Sequence, residues 1–107
     1  MSSFDDRERA EESKFLLSQE LEFKARARRN KLFGLWAAEL MGLSGPESEQ
    51  YAMALVAEDM AEAGDEDIFR KVRADFNAKG VTQSDHQIRS RMTDLLAEAR
   101  AQVKAGA

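Results

Sequence analysis

Between Met1 and Met41 the chain carries one glycine, Gly34, and no proline. Gly and Pro are the strongest local punctuators of secondary structure, so a stretch this long with a single breaker reads as one extended helical segment. The same economy holds downstream. The later breakers are Gly42, Gly45 and Pro46 in one cluster, then Gly64, then Gly80, with Gly106 near the end. They cut the 107 residues into four segments. The first is built from strong helix formers, Ala, Glu, Lys, Arg, Leu and Gln, and each of the others shows apolar residues at helical spacing. No segment alternates with period two, so no strand is expected. Helices joined by short loops pack as antiparallel neighbours. The expected fold is all-α, a four-helix bundle with a long first helix.

The apolar spacing sets the expected core. In the first segment Leu21, Ala25, Leu32, Leu35, Trp36 and Leu40 share one face. Gly34 costs about 1 kcal/mol in a helix interior, so it is expected where another helix packs closely. In the second segment Tyr51, Leu55 and Val56 form a face, with Met53 and Met60 at its edge. Ser44 and Glu47 have the spacing of a capping box, with Pro46 in the first turn. Asp65 is the expected N-cap of the third helix, whose stripe is Ile68, Phe69, Val72 and Phe76. Gly80 is the expected stop, with Val81 placed for the apolar contact that follows such a cap. Ser84 and Gln87 form a second capping box before Ile88, Met92, Leu95, Leu96, Ala99 and Val103.

The start of the chain is different. Ten residues separate Phe4 from Phe15, and most of them are charged. Such a segment buries too little apolar surface to order itself. The expected organisation is an N-terminal arm over residues 1–19, flexible when free, and a bundle domain over residues 20–107. The arm is helix-prone and ends in Phe15-Leu16-Leu17. It reads either as a frayed terminus or as a segment that folds into a partner's groove, with Phe4 and Phe15 as anchors.

Composition excludes several functions. Sixteen basic and 20 acidic side chains leave a net charge of −4, which predicts no global attraction to nucleic acid or to anionic lipid. With no Cys there is no disulfide framework and no thiolate metal site. The N-terminus lacks the features of a signal peptide, and no apolar run approaches the roughly 20 residues of a membrane span. These point to a cytoplasmic protein without direct membrane insertion.

No catalytic constellation emerges. His86 is the single His, beside Asp85 at a helix start, where the helix dipole disfavours a protonated ring. Asp65, Glu66 and Asp67 lack the spacing of a calcium loop and suit a helix N-terminus. Glu58, Asp59 and Glu62 lack the Glu-x-x-His pairs of a di-metal bundle. No Gly-rich phosphate loop is present. The chain is expected not to be an enzyme, and no metal or required cofactor is expected.

One charged run stands out. Lys24, Arg26, Arg28, Arg29 and Lys31 place five cations in eight residues. They read either as a solvated helix face, aided by Glu20 and Glu22 four residues ahead of Lys24 and Arg26, or as a patch for phosphates or an acidic surface. Trp36, with Leu32, Leu35 and Leu40, reads as core, with a docking site for a partner helix as the alternative.

Three stretches carry a family resemblance: Phe4-Asp5-Asp6-Arg7-Glu8-Arg9-Ala10; Ala27-Arg28-Arg29-Asn30-Lys31-Leu32-Phe33-Gly34-Leu35-Trp36-Ala37-Ala38-Glu39-Leu40-Met41-Gly42; and Ala63-Gly64-Asp65-Glu66-Asp67, continuing to Arg70-Lys71-Val72. In this order they resemble the zeta subunit family, alpha-proteobacterial inhibitors of the F-type ATP synthase. The resemblance implies a four-helix bundle with a mobile N-terminal arm. It implies that the arm becomes helical and wedges between alpha and beta subunits of the catalytic head, near gamma, and blocks ATP hydrolysis. The inhibitory residues it implies are Phe4, Asp5, Asp6, Arg7, Glu8, Arg9, Lys14 and Phe15. It further implies that ADP or ATP binds the bundle as a regulatory ligand without hydrolysis, but it assigns no residues to that site; the basic run itself offers Lys24, Arg28, Arg29 and Lys31 as candidates for phosphate contacts. The implied protein is a monomer when free, peripheral to the inner membrane through the synthase. Relatives commonly continue Ala-His-Asp after Lys14-Phe15, where this chain has Leu16-Leu17-Ser18, and Glu11 stands where an aromatic is common. The alternatives are a nucleotide-sensing or nucleic-acid-associated helical module using residues 24–31, and a homodimeric scaffold built on Trp36.

Overall fold

The computed structural model describes the backbone of residues 3–61 and 64–106 and the side chains of residues 18–58 and 64–106. Four helices make up the fold: α1 (Ser3–Leu40), α2 (Pro46–Ala61), α3 (Asp65–Lys79) and α4 (Asp85–Lys104). No strand occurs among the described residues. The protein is an all-α four-helix bundle, as the breaker spacing predicts. At 38 residues α1 is about twice the length of its neighbours.

α1 is the organising element. It packs along both α2 and α4, which make no close backbone contact with each other among the described residues, and α3 touches all three. Being contacted on two sides widens its buried arc. Ala25, Phe33, Ala37 and Ala38 are buried, together with Arg29 and Asn30. The single stripe expected from the sequence is therefore corrected. Phe33 lies at its centre, Leu32 and Trp36 are half-buried against the core, and Leu40 is exposed.

Gly34 behaves as expected. A Cβ there would stand 2.6 Å from the Ala52 Cα and 3.1 Å from the Leu55 side chain. Only a residue without a side chain lets α2 approach α1 this closely. Leu55 then joins Phe33, Ile68, Val72, Phe76, Ile88 and Met92 in one apolar core. Trp36 stacks on Phe33 with ring centroids 5.6 Å apart and meets Phe76 edge-on at 5.7 Å. The α3 stripe of Ile68, Phe69, Val72 and Phe76 is buried throughout, as are Ile88, Met92, Leu95 and Ala99 of α4.

Helix ends follow local rules, with two corrections. Ser84 Oγ accepts from the Gln87 N–H and Gln87 Oε1 accepts from the Ser84 N–H, completing the expected capping box. Gly80, left-handed at φ 72, ends α3; the Val81 N–H reaches the Phe76 carbonyl at 2.9 Å, which brings Val81 onto the core. α2, by contrast, starts at Pro46, and the Gly45 carbonyl accepts its first helical bond from Glu49. The cap position is thus Gly45, not Ser44. Likewise Gly64 caps α3, and Asp65 falls inside the first turn, where its carboxylate is free to pair across the bundle. Met60 lies outside the described side chains.

Candidate functional site

The basic run on α1 is divided in two by helical periodicity. Residues 26 and 29 face α3, and residues 24, 28 and 31 line another side of the helix. On the first side, Arg29 is 1% exposed, so its guanidinium sits inside the bundle. It donates from Nη2 to Asp65 Oδ1 at 2.6 Å and from Nε to Asn30 Oδ1 at 2.6 Å. Arg26 reaches the same Asp65 oxygen at 3.2 Å. A buried cation without a partner is heavily penalised, which explains why an acid must stand at this point on α3. Burial works against the Asp65 carboxylate, but the hydrogen bond and charge of Arg29, helped by Arg26, outweigh it and hold the group below the usual carboxylate range. Arg29 was a candidate for phosphate contact. It is withdrawn from the surface and committed to Asp65.

The other two acids of the triplet are also engaged by arginines. Glu66 accepts both Arg89 guanidinium nitrogens, at 3.1 and 2.9 Å, and joins α3 to α4. Arg89 also lies over the Phe69 ring, 3.8 Å from its centroid. Asp67 pairs with Arg70 at 3.1 Å. The triplet is thus a set of clamps at the start of α3. No group of three or more acidic, His or Cys side chains suited to a metal ion occurs among the described residues. His86 is exposed in the first turn of α4.

On the second side of α1, Lys24, Arg28 and Lys31 stand at i, i+4 and i+7 along one open groove of about 550 Å³. Leu21, Phe23 and Ala27 of α1 share its wall with Met53 and Val56 of α2 and Val103 of α4. Phe23 and Met53 are 58% and 53% exposed, so the groove presents apolar surface to solvent beside its cations. Lys24 pairs with Glu20 at 3.4 Å, and Lys31 lies 4.0 Å from Glu49. Both are exposed pairs of the kind worth at most about 1 kcal/mol, so an incoming anion competes for these cations at low cost. Three of the five charges of the run thus form one stripe along the groove.

Near the start of its described side chains α1 is joined to α4 by an ion pair. Glu22 accepts from Arg100 Nε at 3.0 Å and Nη2 at 2.6 Å. The arginine hydrogen bond lowers the Glu22 carboxyl below its ordinary range, against some desolvation, and raises Arg100 in turn. Below this pair Ser18 and Gln19 border an open cavity of about 440 Å³ beside Val103 and Lys104. Phe4, Asp5, Asp6, Arg7, Glu8, Arg9, Lys14 and Phe15 belong to the helical backbone of α1 but lie outside the described side chains.

Comparison with known proteins now bears on this arrangement. The profile of the family ATPase inhibitor subunit zeta matches residues 1–102. The chain belongs to that family. A protein solved by solution NMR is 44% identical to this zeta-family chain, with a TM-score of 0.70; the alignment covers 81% of this chain and 99% of that one. No curated protein matches. Two of the family-like stretches quoted from the sequence meet in the structure: Arg29 and Asn30 come from one and Asp65 from the other. Family membership supports a regulatory inhibitor role for this chain. None of the helices, over the described residues, is long and apolar enough to cross a membrane.

Proposed function

We propose that this zeta-family chain restrains an F-type ATP synthase through its N-terminal arm. In this reading the bundle is the scaffold. The arm inserts as a helix between alpha and beta subunits of the catalytic head, near gamma, and opposes rotation in the hydrolysis direction. The observation that supports the reading is that a compact apolar core is assembled from described residues that follow the arm. Every buried apolar residue described lies between Ala25 and Ala99, and Glu22 is the lowest residue of α1 with a described hydrogen bond to another helix. α1 nevertheless continues back to Ser3. A wedge requires a helix-prone segment whose apolar side chains can be given to a partner.

Phe4 and Phe15 are the anchors, with Asp5, Asp6, Arg7, Glu8, Arg9 and Lys14 making polar contacts around them. Buried aromatic anchors commonly carry 2 kcal/mol or more at an interface. Phe4→Ala or Phe15→Ala should therefore weaken inhibition of ATP hydrolysis by about 30-fold, with no change in thermal stability. Unchanged inhibition in both variants would sink the assignment of the anchors.

A second reading concerns ADP or ATP as a regulatory ligand. The stripe of Lys24, Arg28 and Lys31 beside an open groove supports it, with Arg29 left out. ADP binding that falls steeply with salt and is lost in Lys24→Glu/Lys31→Glu is expected. Titration calorimetry showing binding unaffected by that double change would remove the groove from consideration.

A further inference from the structure

The groove that holds Lys24, Arg28 and Lys31 presents exposed apolar side chains, Phe23 and Met53, to solvent. It starts at Leu21, and the side chains of α1 before Ser18 belong to the arm. The arm's own sequence matches it. At helical period Phe4, Glu8, Glu11 and Phe15 share one face, two carboxylates between two aromatics. Residues 4–17 carry five carboxylates against three cations. The groove offers the inverse pattern, a basic stripe beside exposed Phe23 and Met53.

We propose that the arm exchanges between the continuous helix of α1 and a folded-back position in this groove. A turn within residues 18–21 would make an αα-hairpin, for which two to five residues suffice. Ser18, Gln19 and Glu20 are exposed and Leu21 is half-buried at the start of the groove, so a turn there opens outside the buried core. In the resulting antiparallel register Glu11 stands opposite Arg28 and Glu8 opposite Lys31, with Phe15 beside Phe23. The same register places Phe4 near the Gly34 level of α1, close to Met53. The tether raises the arm's effective concentration to the millimolar range, so a weak complementary contact is enough. Docking there covers Phe4 and Phe15, the groups the inhibitory reading assigns to the partner. The closed state is then a self-restrained form of the subunit, and salt or an anion that competes for the stripe releases it. As a control on inhibition this rests on the proposed function; as a contact within the free chain it does not.

The chain lacks cysteine, so Ser3→Cys gives one labelling site on the full-length protein. A nitroxide there is read by paramagnetic broadening of backbone amides. In a straight α1, residue 3 is roughly 44 Å from Leu32 at 1.5 Å per residue, and amides of Leu32 and Met53 stay sharp. In the folded-back arm they lose at least half their intensity. The loss is expected to disappear in Lys24→Glu/Lys31→Glu and at high salt. Sharp Leu32 and Met53 amides at low salt would overturn the proposal. So would broadening that survives the charge reversal, or broadening seen only when labelled and isotope-enriched chains are separate molecules, which would mean docking on a second copy. If broadening is found but the chain inhibits no ATPase, the groove contact stands and the inhibitory reading falls.

Discussion

Asp65→Ala should be the most damaging single change on the surface of this bundle. Its carboxylate is about half exposed, yet it neutralises Arg29, whose side chain is 1% exposed. Breaking a fully buried pair costs about 3–5 kcal/mol, because the surviving charge is left in a poor solvent. Water reaches the Asp65 side, so the lower end, about 3 kcal/mol, applies. For a domain of this size that is a fall of about 12 °C in Tm at ~4 °C per kcal/mol. Arg29→Met removes the buried charge but leaves the Asn30 carbonyl oxygen without its donor, for about 1–2 kcal/mol. In the Arg29→Met background, Asp65→Ala should cost below about 0.5 kcal/mol, since only the exposed Arg26 pair remains. The double-mutant cycle thus returns a coupling of about 2.5 kcal/mol. Urea unfolding followed by circular dichroism measures all four corners. A cost for Asp65→Ala below about 1 kcal/mol, with additive effects, would refute the claim that Arg29 needs this counter-charge.

Other outcomes follow from the same geometry. Gly34→Ala improves helix propensity by about 1 kcal/mol, but its Cβ would strike the Ala52 backbone at 2.6 Å; overpacking of this kind costs about 1–3 kcal/mol, so a net loss of stability is expected, and a more stable variant would contradict the close approach. Ser84→Ala removes one half of a capping box and should cost about 1 kcal/mol in the same unfolding assay. Because the folded Asp65 carboxyl is held low, its contribution is complete above the unfolded carboxylate value, about 3.9, and is lost as pH falls through the lower folded value. Arg29→Met should flatten that acid limb of a stability–pH profile, and an unchanged limb would show that other carboxylates dominate it.

The parts of this fold legible in the sequence are those where one face meets one neighbour. α3 and α4 each bury a single stripe, and apolar periodicity finds Ile68 to Phe76 and Ile88 to Ala99 directly. α1 is different because α2 and α4 flank it. Its buried arc uses Ala25, Gly34, Ala37 and Ala38, small residues with weak apolar signal, and it includes Arg29 and Asn30, which any hydropathy reading sends to solvent. The pairing partner of Arg29 stands 36 residues away, and nothing local announces it. Cap identities were misplaced by one position for a related reason. The Ser44 and Asp65 spacings are good caps in isolation, but Pro46 fixes the start of α2 and Arg29 draws the Asp65 carboxylate across the bundle. The groove stripe of Lys24, Arg28 and Lys31 was hidden inside a run that also held two structural arginines.

The central claim is that residues 20–107 are a self-sufficient scaffold and residues 1–19 carry the inhibition. It is tested most directly by ATP hydrolysis of the catalytic head from the same organism's ATP synthase, assayed with the full chain and with residues 20–107. The account predicts that the full chain inhibits, while the truncated chain keeps its thermal stability and does not inhibit. Equal inhibition by the truncated chain would place the activity in the bundle and contradict the account.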